Sequence, residues 1–395
     1  MVYLDSSDIS VLSNPKTRTP EIIEIENNLL ELQRKQLIEF RFSHIHIIEA
    51  APVSAEAIMY SRQRFAYIDK LCKKKCLVSY IKILENEISK LTVTPKTNEL
   101  TIYNDSSEWF PDIDLEGLEN PNWMLETVNQ AIESLPNTKS KRKARELYFD
   151  KNGILKIAVL KSLAEKHGVL KEFTDKYPFT KEEAAFYLHA LYSGNSNDDL
   201  KKVLKNSFGD VLRLSDWYQK QWDRVLPISY YLRDIGTDVK SSIDDISKRV
   251  REFNDKIDSI NNNQIKQNQK LLFDDLLKTI PKGVAEKIAA NLNLKINADN
   301  ISWTTTPGLL TTTTIYCHLA RKTVFSSGTS RSARVSDFGD VSHAYYLPYV
   351  DIFRADSFIA STISESKLPF KTDVVGNLNQ LVDVIQRRIT ASKIS

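Results

Sequence analysis

Residues 1–8 read MVYLDSSD, so that an apolar run, Val2-Tyr3-Leu4, meets Asp5 and is followed by small polar residues. This pattern predicts a short buried strand that ends in a polar turn. The segments that follow complete the order β-α-β-α-β, which is typical of a three-layer α/β domain. These are a predicted amphipathic helix at 20–40, a strand-like start at 42–49, a helix at 56–75 and an apolar strand candidate at 76–78.

A similar alternation returns near the other end of the chain, and the sequence therefore predicts one α/β domain built from residues 1–80 and 310–395. The remaining 81–309 is predicted to be a mainly helical insert. The C-terminal elements are a helix at 309–322, a short apolar segment at 324–325, a helix near 341–346, a strand at 350–354 and an amphipathic helix at 374–389.

The insert contains one strongly periodic stretch and one irregular stretch. From Val239 to Ile260, apolar residues recur in alternating steps of four and three, which predicts one long helix with a heptad-like seam. The seam favours packing within the chain over an oligomer contact. Residues 92–121 contain three prolines among Asp and Asn residues, which indicates irregular connections and a short hairpin at 100–103.

Composition limits the class of protein without identifying it. The chain has 395 residues and a formal net charge of +3, which is too small to indicate a nucleic-acid partner by itself. Its three cysteines are too few for a disulfide framework, and the first residues lack the basic start and apolar core of a signal peptide. We therefore expect a cytoplasmic protein with no membrane partner.

Carboxylates mark the ends of predicted elements in both terminal segments: Asp5, Glu49, Asp340 and Asp356, with Asp8, Asp337 and Asp351 nearby. Acids that face one cleft repel one another unless a hard cation neutralises them, and Mg²⁺ or Mn²⁺ prefers such oxygen ligands. These ions activate water and stabilise a departing oxygen during phosphodiester hydrolysis. The acids therefore predict a Mg or Mn site of the kind that nucleases use.

At these residues the sequence resembles the PIN-domain superfamily of metal-dependent nucleases. Residues 3–7 (YLDSS) look like its first strand and terminal aspartate, and residues 43–49 (SHIHIIE) look like its second strand and acid. Residues 336–344 (SDFGDVSHA) are similar to the segment where an aspartate opens a helix, and residues 347–358 (LPYVDIFRADSF) to the following strand and its acid.

The resemblance implies a three-layer fold and a nuclease whose catalytic and metal-binding acids are Asp5, Glu49, Asp340 and Asp356. Two alternatives remain open, because Asp8 can replace or supplement Asp5, and the last acid is either Asp356 or Asp351. His343 follows Asp340 by three residues on a predicted helix. It is either a catalytic group that contacts phosphate or orients water, or a packed helix histidine.

Two basic segments are candidates for binding nucleic acid. Arg331 and Arg334 lie in a polar loop just before Asp337, where arginine suits a phosphate ligand. Lys141, Arg142 and Lys143 belong to the densest basic run of the chain and are suited to contacts with a nucleic-acid backbone. The alternative for each segment is a solvated surface.

The sequence thus predicts a metal-dependent nuclease that cleaves RNA in preference to DNA, in a toxin-like or defence system. The insert would then bind a regulatory protein or mediate self-association. The alternatives are a PIN-like module that binds nucleic acid or protein without cleaving it, and a helical assembly protein. The sequence contains neither zinc-site spacing around Cys72 and Cys76 nor the central motifs of serine hydrolases and P-loop ATPases.

Overall fold

The computed structural model describes residues 1–92, 99–112, 123–193, 197–258, 263–325 and 333–392. The chain divides into two compact units, of which the first comprises Met1–Pro111 with Trp222–Ser395 and the second Asp112–Gln221. Residues 81–111 and 222–309, assigned to the insert from the sequence, thus belong to the first unit. The physical reason is burial, because Leu232, Ile243 and Phe273 share one hydrophobic core with Tyr3 and Phe353.

The first unit is mixed α/β, mostly helical, with a small parallel sheet. Its N-terminal part contains β1 (Val2–Tyr3), α1 (Ser6–Ser13), α2 (Pro20–Arg34), α3 (His44–Ala50), α4 (Ile58–Cys72), β2 (Cys76–Leu77), α5 (Tyr80–Lys90) and β3 (Tyr103–Asn104).

The second unit is helical within the described residues. It comprises α6 (Trp123–Glu133), α7 (Thr138–Tyr148), α8 (Ile157–Lys166), α9 (Val169–Lys176), α10 (Lys181–Tyr192), α11 (Asn197–Gly209) and α12 (Val211–Lys220). Its main core gathers apolar side chains from α8 to α11, including Leu160, Leu170, Leu188 and Leu204. This unit therefore has a core of its own.

The chain then returns to the first unit with two long helices, α13 (Trp222–Asp258) and α14 (Asn263–Asn291). The unit ends with α15 (Pro307–Val324), α16 (Val335–His343), β4 (Ile352–Arg354), α17 (Ser357–Glu365), β5 (Asp373–Val375) and α18 (Leu381–Ser392). Among the described helices, none combines the length and apolar character needed to cross a bilayer.

The parallel sheet joins the two ends of the chain. β1 pairs in parallel with β4, with Val2 opposite Ile352, and β4 pairs in parallel with β5. On the other side of β1, single parallel bridges join Val2 to Phe40 and Phe42 to Cys76, so that residues 40–42 lie between β1 and β2. β1 is thus central, and β3 adds an antiparallel partner to β2.

Two elements differ from the sequence prediction. Residues 42–49 begin strand-like in sequence, but only Phe42 forms a bridge and α3 starts at His44, after Ser43 as the N-cap. An apolar run that is buried on all sides cannot be assigned by periodicity, and Ile45, Ile47 and Ile48 are all buried. The predicted helix at 374–389 begins only at Leu381, because Val374 and Val375 pair with β4.

The helix predicted at 309–322 is confirmed by α15. The predicted long helix from Val239 is confirmed as part of α13, but the seam is not buried throughout. Ile243 and Val250 are buried, whereas Ile246 and Phe253 are exposed. The side chain of Ile257 and the whole of Ile260 lie outside the described part of the chain.

Glu87 of α5 closes the N-terminus of α15. Its carboxylate accepts hydrogen bonds from the backbone N–H groups of Gly308 (2.7 Å) and Leu309 (2.9 Å) and from the Tyr349 hydroxyl (2.9 Å). Buried N–H groups at a helix start have no partner within the helix, so this side chain satisfies them. One carboxylate therefore links α5, α15 and the segment before β4.

We expect Glu87→Ala to lower the free energy of unfolding by about 2–3 kcal/mol, because two buried donors lose their acceptor. Chemical denaturation followed by circular dichroism measures the change. Glu252→Ala removes an exposed glutamate from α13 and serves as the matched control, with stability close to that of the wild type. Equal stability of both variants would contradict the capping role.

Candidate active site at the carboxyl edge of the sheet

Asp5 follows the end of the central strand β1 after one intervening residue and caps α1. Its Oδ1 accepts hydrogen bonds from the backbone N–H groups of Ser7 (2.7 Å) and Asp8 (3.1 Å). Asp5 is buried, and its Oδ2 has no hydrogen-bond partner among the described residues. In parallel sheets, ligands bind beyond the carboxyl ends of the strands where the order of strands reverses, and β1 occupies that point here.

Asp356 lies at the same edge of the sheet. It follows β4, which runs parallel to β1, and its Oδ1 accepts a hydrogen bond of 2.7 Å from the backbone N–H of Ile359 at the start of α17. Each of these two acids therefore follows one of two paired strands and caps the helix that comes next.

Glu49 and Asp340 come from two helices that meet, α3 and α16. A Cβ atom placed on Gly339 would lie only 2.8 Å from Glu49 Oε1, so the absence of a side chain there lets the backbone of α16 approach this carboxylate. Asp340 is the next residue, and both acids line one cavity. A larger residue at position 339 would therefore displace the Glu49 carboxylate from its present position.

The pKa of Asp340 is affected by the charges of the other three catalytic acids predicted from the sequence. Burial, as the largest cause, together with the negative charges of Glu49, Asp5, Asp356 and Asp337, raises the pKa of Asp340 to about 9. In a medium of low polarity, charges act on one another more strongly than they do in water. Four acids from four separate segments therefore form one electrostatic cluster.

The buried ring of His343 holds the Glu49 side chain through a hydrogen bond. The ring is fully buried, with Nε2 3.0 Å from Glu49 Oε2 and Nδ1 2.6 Å from the Tyr3 hydroxyl, which in turn lies 2.7 Å from Ser43 Oγ. Burial alone would raise the pKa of Glu49, but the charge and hydrogen bond of His343 lower it below its ordinary value. His343 thus contacts an acid of the cluster directly and links it to a buried polar chain.

His46 continues this chain toward Asp5. Its Nδ1 accepts a hydrogen bond of 3.0 Å from the Ser43 N–H, and its Nε2 lies 2.9 Å from the Leu4 carbonyl oxygen, to which it donates. Burial, with a contribution from His343, lowers the pKa of His46 to about 3, so the ring is neutral. His46 ties α3 to the residue before Asp5.

The cavity beside Glu49 and Asp340 measures about 490 Å³ and also carries two arginines, Arg233 and Arg334. Arg334 precedes α16 and was predicted as a phosphate ligand. Arg233 was missed, because α13 was assigned to the insert and a lone exposed arginine on a long helix carries no signal of its own. Arg331 lies outside the described residues.

The other predicted basic residues and Asp351 lie elsewhere. Lys141, Arg142 and Lys143 are on α7 in the second unit, where Lys141 pairs with Glu133 at 2.7 Å. Asp351 precedes β4 and pairs with the N-terminal ammonium of Met1 and with Arg388. It therefore belongs to the amino edge of the sheet, whereas Asp356 lies at the carboxyl edge with Asp5.

Arg354, the last residue of β4, places a positive charge beside Asp5. Its Nη2 lies 2.9 Å from Asp8 Oδ1, and its Nη1 lies 3.9 Å from Asp5 Oδ2. Sequence reasoning missed it, although it stands two residues before Asp356 in the quoted motif. Burial and the charge of Asp5 raise the pKa of Asp8 well above its ordinary value, and Arg354 opposes this shift.

The chemistry of the cluster suits Mg²⁺ or Mn²⁺, because its donors are carboxylate oxygens and one of them, Asp5 Oδ2, is buried with no hydrogen-bond partner in the described part of the chain. Within the described ranges, however, no three or more His, Cys, Asp or Glu side chains are arranged to hold a metal ion. A complete ligand shell would therefore require the carboxylates to move closer together.

Comparison with protein-family models, with curated proteins and with solved structures finds no match to this chain.

Asp340→Asn is expected to stabilise the protein in chelator, and more so as the pH rises. Because the folded-state pKa of Asp340 is raised, the folded state keeps a proton that the unfolded state has lost. Below about pH 4, Asp340 is protonated in both states and its contribution to the free energy of unfolding is fully present. As pH rises from there toward 9, the unfolded state gives up this proton more readily than the folded state does, so this contribution is lost. We expect a gain above about 1 kcal/mol at pH 8 and almost none at pH 4, measured by thermal unfolding.

Asp351→Asn provides the control of opposite sign. Burial would raise the pKa of Asp351, but the Met1 ammonium and Arg388 together lower it. Its contribution to stability is therefore present at neutral pH and is lost on acidification, so its removal should lower the melting temperature at pH 8. A fall in melting temperature for Asp340→Asn at pH 8 as well would argue against a repulsive cluster.

Proposed function

We propose that this chain is a metal-dependent nuclease that hydrolyses phosphodiester bonds, with RNA as the preferred substrate. The observation that carries the proposal is the electrostatic coupling of Asp340 to Glu49, Asp5 and Asp356. These acids come from four segments spread along the chain, and no packing requirement explains why carboxylates should converge. Coupled acids beside a cavity are typical of functional sites.

The proposal includes a PIN-like three-layer domain in the first unit. The support is the parallel sheet that joins both chain ends, with Asp5 and Asp356 after paired strands. Such an edge is where α/β folds place ligands. Because a fold does not fix a function, the argument for cleavage rests on the acids rather than on the sheet.

Asp5, Glu49, Asp340 and Asp356 would hold Mg²⁺ or Mn²⁺, which would supply activation of water and stabilisation of the departing oxygen. The chain itself supplies positioning. Glu49 is held by His343 at 3.0 Å, and Asp5 and Asp356 are held through Oδ1 by helix N–H groups, which leaves their Oδ2 atoms for other partners. His343 is fully buried, and we assign it the orientation of Glu49 rather than contact with substrate.

The substrate strand is proposed to enter the cavity between the acids and the arginines. Arg233 and Arg334 share this cavity with Glu49 and Asp340, and guanidinium groups match phosphate oxygens in charge and geometry. A volume of about 490 Å³ is that of a small-ligand pocket, which suits one or two nucleotides of a single strand better than a duplex.

Cleavage is expected with labelled single-stranded RNA in Mg²⁺ or Mn²⁺, and none in chelator. Each of four substitutions should reduce the rate of cleavage by about 100-fold or more, because each disturbs the geometry of the metal ligands by more than catalysis tolerates. These substitutions are Asp5→Asn, Glu49→Gln, Asp340→Asn and Asp356→Asn. Single- and double-stranded DNA of the same sequence, assayed in parallel, report the substrate preference.

Asp351→Asn is the matched control, because it removes an aspartate close in sequence to Asp356 from the opposite edge of the sheet. It should retain most of the rate. Wild-type cleavage in chelator, or full activity in the variants of Asp5, Glu49 and Asp340, would refute the mechanism.

Arg233→Gln and Arg334→Gln are expected to weaken binding of single-stranded RNA. Introduced into Asp340→Asn to prevent cleavage, each should reduce the dependence of log affinity on log salt by about 0.7, the value for one lost phosphate contact. Fluorescence anisotropy of a labelled oligonucleotide measures both quantities. Arg251→Gln, an exposed arginine further along α13, should leave them unchanged.

A further inference from the structure

Three neighbouring residues at the carboxyl edge of the sheet carry four polar atoms that have no hydrogen-bond partner among the residues that the structure describes. They are Asp5 Oδ2, Asp8 Oδ2 and the Nε and Nη1 atoms of Arg354, all buried. Unsatisfied buried polar atoms are rare and costly, and four in one place require a common explanation. Arg354 ends β4, Asp5 is the N-cap of α1, and Asp8 lies in the first turn of α1.

The position of Arg354 distinguishes the two acids. Its guanidinium contacts Asp8 at 2.9 Å, within hydrogen-bond distance, but stays 3.9 Å from Asp5 Oδ2. Arg354 therefore attracts Asp5 without occupying its oxygen. That oxygen keeps its capacity to bind a cation, although the field of a buried positive charge acts on any cation that approaches.

The strand holds this charge in place. Arg354 ends β4 in register with the neighbouring strand β5, where it lies opposite Val375, and only 8% of the residue is exposed. A guanidinium cannot lose its charge at any ordinary pH. Arg354 therefore acts on the cluster from a fixed position at the end of β4.

We propose that Arg354 is a resident counter-cation that sets the affinity of the acidic cluster for divalent metal. With no metal bound, it offsets the repulsion of Asp5 and Asp8, while Asp8 holds it off the Asp5 oxygen. When Mg²⁺ or Mn²⁺ approaches Asp5, the same charge opposes binding. Arg354 therefore keeps the affinity low, and Asp8 acts as the partner of Arg354 rather than as a metal ligand.

This inference rests on the proposed metal-dependent function but makes a separate claim, because it concerns affinity rather than cleavage. Mn²⁺ binding to the full chain, measured by isothermal titration calorimetry without substrate, is the direct test. Arg354→Gln should bind Mn²⁺ at least tenfold more tightly than the wild type. Arg354→Lys keeps the charge and should stay within about threefold of the wild type.

Asp8 supplies the second arm of the test. Asp8→Asn frees Arg354 to contact Asp5 Oδ2, so Mn²⁺ binding should weaken by tenfold or more. The double variant Arg354→Gln with Asp8→Asn leaves the net charge unchanged, avoids an unpaired buried charge, and should bind more tightly than the wild type. Circular dichroism of each variant checks that it folds.

Arg388→Gln controls for the loss of one positive charge, because Arg388 pairs with Asp351 at the other edge of the sheet. Its Mn²⁺ affinity should match that of the wild type. Unchanged or weaker binding by both Arg354→Gln and the folded double variant would overturn the role of Arg354, even if the wild type cleaves RNA. Absence of Mn²⁺ binding in the wild type and in every variant would overturn both the metal site and this inference.

Discussion

The parallel pairing of β1 with β4 is the contact on which the first unit depends. It joins segments about 350 residues apart and sets Tyr3 against Phe353, whose rings stack at 5.5 Å in the core. Closing so long a loop costs conformational entropy, which the burial of these strands must offset. The same strand pairing places Asp5 and Asp356 at one edge of the sheet, so it determines both the fold and the position of these two acids.

A buried polar chain then connects that sheet to the helices around it. The chain starts at the cavity and runs to the end of β1, and each member contacts the next in the order Glu49, His343, Tyr3, Ser43 and His46. In a low-polarity interior such a network is stable only when each member has its partner. The network therefore constrains the positions of the acids, and we expect a substitution at one end of it to shift the side chains at the other end.

The long helix α13 shows how a segment outside the terminal motifs completes the cavity. Gly236 allows its backbone to approach α16, since a Cβ there would lie 2.7 Å from the Val335 carbonyl oxygen. One turn earlier, Arg233 lines the same cavity as Glu49 and Asp340. Negative and positive lining residues thus come from different parts of the chain, an arrangement suited to a ligand that carries phosphate and recruits a cation.

The sequence by itself determined the local features: the strand that stops at Asp5, the helix of α15, the long helix through Val239, and the acids at the ends of elements. Periodicity and end signals are short-range, so they report such features well. Only the tertiary structure decided that α3 is a helix, that Asp356 rather than Asp351 joins the cluster, and that Arg354 and Arg233 accompany it. Each of those outcomes depends on contacts between distant segments, and burial on all sides removes the periodic pattern that would reveal them.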